Sequence, residues 1–227
     1  MNWFRNTKPE VISQTKFREL LLLPRDHSLN AILTHKVLFH ENGVVTKIWK
    51  KRPRLFSSAR FYPYDSRFVS HAELLQNKGI VTPKILFHGR LLSPSLRFVQ
   101  YERMPGESIR EILSSTTKNI NWMDLASFFC TLHDKGIFFR SIHFGNIIQI
   151  GGKEFGLIDF TDVTFYGHSL NLKQRARNLS FPLRYVEDVE SMQGSSDPNL
   201  IDCYLQLSSY PRENEKKFKR LIKHDLL

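Results

Sequence analysis

Cysteine is nearly missing from this 227-residue chain, with Cys130 and Cys203 the whole set. The fold therefore cannot lean on a disulfide framework, and nothing in it requires an oxidising compartment. Long apolar runs are missing too. The longest obvious one, Leu20 to Leu23, is far short of the roughly 18 residues that a membrane-spanning helix needs. The start, MNWFRNTKPE, has no apolar stretch behind its basic residues, so no secretory leader is expected. Internal repeats are absent, and with 41% hydrophobic and 24% charged residues the composition excludes a disordered tail, a collagen-like repeat and a coiled coil. What remains is a soluble cytoplasmic protein with enough apolar material for a real core, as one domain or one compact two-lobed unit.

Negative charge is also scarce. Asp and Glu total 22 against 33 Lys and Arg, a formal charge of +11. A surplus of that size favours anionic partners: nucleic acid, a phosphorylated small molecule or the anionic face of a membrane. A soluble protein that is merely basic is the alternative.

Along the chain, Val37 to Phe39 and Val44 to Trp49 flank Asn42-Gly43. An Asn-Gly pair between β-branched runs predicts a hairpin over 36–49 with positive φ at both turn positions. Lys50 to Arg60 reads as a basic loop. Phe68, Ala72 and Leu75 recur at helical spacing, predicting a helix over 65–78 with Asp65 or Ser66 as N-cap and Gly79 as C-cap. Strands are expected at Lys84–Phe87 and Leu96–Glu102, so the first half is a small sheet with one helix. The second half opens with helices over 108–114 and 123–135, the latter ending at Gly136. A second hairpin pairs 146–150 with 155–159 around Gly151-Gly152, and LNLKQRARNL and NEKKFKRLIKH are helical and basic.

The chemistry sits in Gly136 to Ile148 and in Leu157 to Phe160. Asn146 opens one strand of the second hairpin and Asp159 closes the other, which puts two oxygen ligands at the same end of one ribbon. Hard cations such as Mg²⁺ take such oxygens, and few protein ones, because water and phosphate oxygens complete the shell. Lys47, on a strand of the first half, is a candidate point charge for phosphates, with Lys50 as rival.

This pattern resembles the protein-kinase-like fold, whose catalytic loop runs H-R-D-x-x-x-x-N and precedes D-F-G, with a lysine on the third strand. Arg140 matches the loop arginine, Asn146 the magnesium asparagine, Asp159 the aspartate of D-F-G, and Lys47 the strand lysine. More closely, SSARFYPYDSRF, GIVTPKIL, YERMPGESIRE, LHDKGIFFRSIHFGN and LIDFTDV are similar to the bacterial toluene tolerance family, which is grouped with the lipopolysaccharide core (Kdo and heptose) kinases. The resemblance covers about residues 30 to 190.

It implies a two-lobed α+β fold: an N-terminal nucleotide-binding lobe over 1–102, with 1–27 as an extension, and a short, mostly helical catalytic lobe over 103–227. It implies ATP and Mg²⁺ as cofactors, and a hinge near Tyr101 to Gly106 that sets Glu102 among the nucleotide contacts. Glu73 is the helix glutamate expected to pair with Lys47, with His71 in its place if the helix is one turn out of register. The implied activity is phosphoryl transfer to a lipopolysaccharide core sugar or related glycolipid at the cytoplasmic face of the inner membrane.

Departures from the family pattern are specific. Phe139 stands at the loop histidine position, Ser141 at the catalytic aspartate position, and Thr161 at the glycine of D-F-G. No glycine lies between Leu20 and Leu38, so a Gly-rich phosphate loop cannot be traced. Asp162 is either a turn residue or the replacement carboxylate. Ser141 in place of the base points to a second possibility, a pseudokinase that binds nucleotide or glycolipid as a regulator. A nucleic-acid binder has charge on its side but no recognisable module. His133 and His143 read as structural. Arg175 and Arg177 are either a solvated helix face or contacts for an acidic substrate group.

Overall fold

The computed structural model describes residues 8–21, 36–50, 62–115, 117–186, 188, 199–208 and 210–226. It is a mixed α+β protein of two compact units: Met1–Asn77 with Thr82–Met104, and Lys78–Val81 with Pro105–Leu227. The sheet unit is built from β1 (Glu10–Val11), α1 (Gln14–Leu20), β2 (Val37–Phe39), β3 (Val44–Trp49), α2 (Tyr64–Asn77), β4 (Ile85–Leu91) and β5 (Leu96–Glu102). Its strand order is β1-β4-β5-β3-β2, antiparallel except for β1, which runs parallel to β4.

The N-terminal residues do more than extend the chain. Strand β1 lengthens the sheet, and Ile12, Phe17 and Leu21 join Ile48, Leu91, Leu96 and Phe98 in one apolar cluster. Phe17 is fully buried, its ring 4.7 Å from that of Phe98. Sequence alone hides this because β1 has only two residues. The β2–β3 hairpin forms as expected, but its turn differs: His40 to Gly43 make a four-residue connection, and only Gly43 (φ 77°) takes positive φ. Asn42 keeps negative φ and instead accepts from the Val44 N–H through Oδ1 at 3.2 Å. The expected loop over 50–60 lies outside the described residues from 51 onward.

Helix α2 starts at Tyr64, so Asp65 falls in the first turn rather than at the cap. Its buried carboxylate accepts from His88 Nε2 (2.6 Å) on β4 and Arg97 Nη1 (2.9 Å) on β5. Burial alone would raise this carboxyl, yet the hydrogen bond from His88 and the adjacent Arg97 hold it below the usual range. The helix that carries Glu73 and His71 is thereby tied to two strands.

The second unit contains β6 (Glu107–Ser108), α3 (Ile109–Leu113), α4 (Trp122–Asp134), β7 (Ile137–Phe139), a 3-10 turn (Phe144–Asn146), β8 (Ile147–Gly151), β9 (Glu154–Leu157), β10 (Val163–Phe165), α5 (Leu172–Ser180), α6 (Leu200–Ser208) and α7 (Arg212–Leu226). Strands β6, β8 and β9 form one small sheet, and β7 pairs with β10 in another. Helix α4 packs against α6, and α5 against α7. The short strands β6, β7 and β10 escape the sequence signals, since two or three residues carry no readable period. Gly136 ends α4 at φ 70°, where a Cβ would meet the Tyr166 and His168 carbonyls at 2.5 and 2.4 Å.

Because Phe17 is part of the core, Phe17→Ala should lower stability by about 3–5 kcal/mol. Urea denaturation checks this; a loss below about 1 kcal/mol, as for a surface change, would mean that the N-terminal residues are a dispensable extension.

Candidate functional site

Strand β7 delivers the chain into the loop Arg140–His143, and the 3-10 turn hands it to β8. Asn146, 7% exposed, sits at the end of that turn, where its Nδ2 donates to the Ser141 carbonyl at 3.1 Å. Ile147 pairs with Leu157, and the Ile158 N–H donates to the Asn146 carbonyl at 3.0 Å. Asn146 and Asp159 therefore stand at the same end of the β8–β9 ribbon, as their spacing predicts.

Asp159 has φ 52°, the one non-glycine residue at positive φ among the described residues. That conformation costs on the order of 1–3 kcal/mol, and Asp tolerates it better than most residues. Its side chain is exposed, while the next residue, Phe160, is fully buried. The buried ring and the ribbon hydrogen bond fix the two sides of the strained residue.

Past the turn, Arg140 and Asp162 meet twice. The Arg140 N–H donates to the Asp162 carbonyl at 3.3 Å, and the side chains pair at 3.6 Å. The side-chain pair is open to solvent, so it contributes little stability and leaves the Asp162 carboxylate accessible. Ser141 is half-buried, with its carbonyl committed to Asn146.

In the sheet unit, Lys47 is half-buried on β3 with Nζ 5.5 Å from the Trp49 ring and 5.6 Å from the Phe68 ring of α2. Its side chain thus points toward α2, whereas Lys50 is exposed beyond the strand end. Glu73 and His71 are both half-buried on α2. Glu102 is less suited to its expected role: its N–H already donates to the Lys84 carbonyl at 2.9 Å, and its carboxylate pairs with Lys84 Nζ at 2.8 Å. The Arg103 N–H is likewise committed, to Gly43. The Glu102 N–H is therefore not available to a nucleotide base.

As donors, Asn146 and Asp159 offer one amide oxygen and one carboxylate. Among the described residues, no cluster of three or more His, Cys, Asp or Glu side chains exists that would hold a metal by itself. Two hard oxygens suit Mg²⁺ arriving with phosphate oxygens and water.

Two braces beneath the loop are invisible at short range in the sequence. Asn178 on α5 donates through Nδ2 to the Phe139 carbonyl at 2.8 Å, and its Oδ1 lies 3.2 Å from Nε2 of His133, which is fully buried on α4. His133 Nδ1 lies 2.7 Å from the Tyr204 hydroxyl, which in turn lies 3.2 Å from Arg175 Nη1. Donors and acceptors balance in one way: Arg175 donates to Tyr204, Tyr204 to His133 Nδ1, His133 Nε2–H to Asn178, and Asn178 to Phe139. Arg175 also bonds the Leu170 carbonyl (2.7 Å) and Asp134 (2.5 Å), so it is a structural residue and not a substrate contact. In the second brace, Arg110 on α3 makes a two-pronged pair with buried Asp188 (2.7 and 2.8 Å) and lies 4.9 Å over the Tyr185 ring. Tyr185 in turn packs on His143 of the loop at 5.1 Å.

No family model matches the sequence, and no curated protein matches it either. Solved structures similar to the chain include several kinases. The bifunctional kinase-methyltransferase WbdD is 13% identical with a TM-score of 0.48, over 81% of this chain and 45% of that one. The chain thus spans less than half the length of WbdD. A divergent kinase lacking the glycine-rich loop, which regulates membrane ultrastructure of the Toxoplasma parasitophorous vacuole, is also 13% identical (TM-score 0.48, 96% and 79% covered). Vaccinia related kinase 3 is 14% identical (TM-score 0.42, 80% and 75% covered).

Burial, with the Arg175 charge nearby, pushes His133 down to about 3. Its folded pKa lies below the unfolded value of about 6.5, so between those two the unfolded chain binds the extra proton. Stability should be fully present above about pH 6.5 and fall by roughly 1 kcal/mol per unit as the pH drops toward 3. Urea midpoints against pH should show this slope in the parent and a shallower one in His133→Gln. Equal slopes would remove His133 from the buried chain.

Proposed function

We propose that the chain is an ATP- and Mg²⁺-dependent phosphotransferase of the kinase type, transferring phosphate to an alcohol group of a lipopolysaccharide core sugar or related glycolipid at the cytoplasmic face of the inner membrane. The observation that carries this is the Asn146–Asp159 pair, held at one ribbon end by a buried amide contact and a strained backbone. In this assignment Asn146 and Asp159 hold Mg²⁺, which neutralises phosphate charge. Lys47 contacts phosphate and Glu73 orients it. Phosphoryl transfer depends mostly on positioning and charge stabilisation, so a modest base suffices. Ser141 cannot take a proton at neutral pH. Asp162, accessible and beside Arg140, is the replacement carboxylate.

A second possibility, a nucleotide-binding regulator without turnover, draws support from Ser141 itself. The residue at the base position serves the loop through its backbone carbonyl, a role that needs no carboxylate.

Mg²⁺-ATP at about 100 times its Kd should stabilise the fold by about 2.7 kcal/mol, read as a rise in melting temperature. Asp159→Ala should lose the Mg²⁺-dependent part of that rise; an undiminished rise would overturn the metal assignment. For turnover, Asp162→Asn should reduce γ-phosphate transfer by roughly 10²-fold or more. Transfer within a few-fold of the parent would leave Asp162 as a turn residue. Binding without transfer in the parent, with Ser141→Asp gaining transfer, would favour the regulator.

A further inference from the structure

Among the described residues, acidic side chains neutralise only two of the cations of α5 and α7. Arg175 pairs with Asp134 at 2.5 Å and Lys219 with Asp202 at 2.8 Å. Lys173 and Arg177 on α5, and Lys216, Lys217, Arg220 and Lys223 on α7, are exposed, and among the described residues none has a carboxylate within 4.0 Å. The two helices pack on each other, which gathers these cations in one region of the unit.

Helix α7 holds its basic side outward for a physical reason. Phe218 and Ile222 are buried, and Phe218 stacks on Tyr204 at 5.4 Å. Lys216, Arg220 and Lys223, four and then three residues apart, form a stripe on the opposite side. The helix carries six basic and three acidic residues, the latter being Glu213, Glu215 and Asp225. At its end, Arg184 Nη2 donates to the Asp225 carbonyl at 3.0 Å. Two residues beyond Arg184, Val186 is 69% exposed, and Leu226, next to Asp225, is 42% exposed.

We propose that this face of the helical unit docks on an anionic lipid surface. The cation stripe meets a plane of lipid phosphates, and Val186 and Leu226 enter between the headgroups. Exposed apolar side chains beside unpaired lysines suit a bilayer interface better than a nucleic acid, whose phosphates give them nothing to contact. No helix of the described residues is long and apolar enough to cross a membrane, so the contact is peripheral. It uses none of the residues assigned to nucleotide or metal, and stands or falls apart from that assignment.

Sedimentation of the full chain with phosphatidylglycerol vesicles and with phosphatidylcholine vesicles tests it. Binding should occur with phosphatidylglycerol alone and weaken at least tenfold between roughly 0.05 and 0.5 M salt. The triple variant Lys216→Gln, Arg220→Gln, Lys223→Gln should bind about 100-fold more weakly, at about fivefold per neutralised residue near the surface. A charge-matched variant, Lys8→Gln, Lys16→Gln, Lys36→Gln, should lose less than about fivefold. Val186→Ser with Leu226→Ser should abolish the residual binding at high salt. Equal losses in the two triple variants would overturn the proposal in favour of net charge alone. It would equally be overturned by equal recovery with both lipids, by unchanged high-salt binding in the serine variant, or by no vesicle binding, with or without retention of nucleic acid.

Discussion

The loop is anchored where β7 ends, at the Phe139 carbonyl, which accepts from Asn178 Nδ2 at 2.8 Å and from the Ile142 N–H at 3.2 Å. That carbonyl ends β7, and everything from Arg140 to Asn146 hangs from it. Ile142 belongs to the loop itself, so Asn178 is the donor that ties this carbonyl to a helix, a hydrogen bond with a net contribution of about 1 kcal/mol. Asn178 can hold it because its own oxygen is claimed by neutral His133, which is held in turn by Tyr204 and Arg175. A charged His133 would break this order, since both ring nitrogens would then donate and Tyr204 would lose its acceptor. Burial of the ring keeps it neutral and the chain directed.

From that anchor the geometry follows outward. The turn after His143 brings Asn146 back onto Ser141, the ribbon places Asp159 beside Asn146, and the buried Phe160 ring fixes Asp159 in its strained conformation. Strain of this kind persists only where surrounding contacts over-determine it, and it accumulates at working sites. The Arg110–Asp188 pair adds a second hold through Tyr185 and His143. The loop is thus held from two sides, by Asn178 at Phe139 and by Tyr185 at His143. In the proposed phosphotransferase these contacts would supply positioning and charge stabilisation, and proton acceptance would pass from Ser141 to Asp162.

Much of this was legible beforehand, for physical reasons that differ by element. The Asn42-Gly43 and Gly151-Gly152 turns and the apolar spacing of 68, 72 and 75 are local signals, and the hairpins and α2 appear within a residue or two of expectation. Asn146 and Asp159 were readable because a hairpin converts sequence spacing into spatial proximity. The His133–Asn178–Tyr204 chain was not, since its members lie 45 and 71 residues apart and are joined only by tertiary packing. Arg175 shows the same limit: in the sequence it belongs to a basic helix face, yet the Leu170 carbonyl, Tyr204, Asp134 and Ser169 all bond its side chain. At Glu102 the limit is strand register, which commits its N–H to Lys84 and cannot be read from a motif.

The central claim is that Asn146 and Asp159 receive a divalent cation together with nucleotide phosphates. Paramagnetic line broadening of the ¹⁵N-labelled chain by Mn²⁺-ATP locates the cation directly. The account predicts that the amides of Asn146, Ile158, Asp159 and Phe160 broaden first, and that Asp159→Ala abolishes this while leaving the rest of the spectrum in place. Broadening centred elsewhere, or persisting unchanged in that variant, would contradict it.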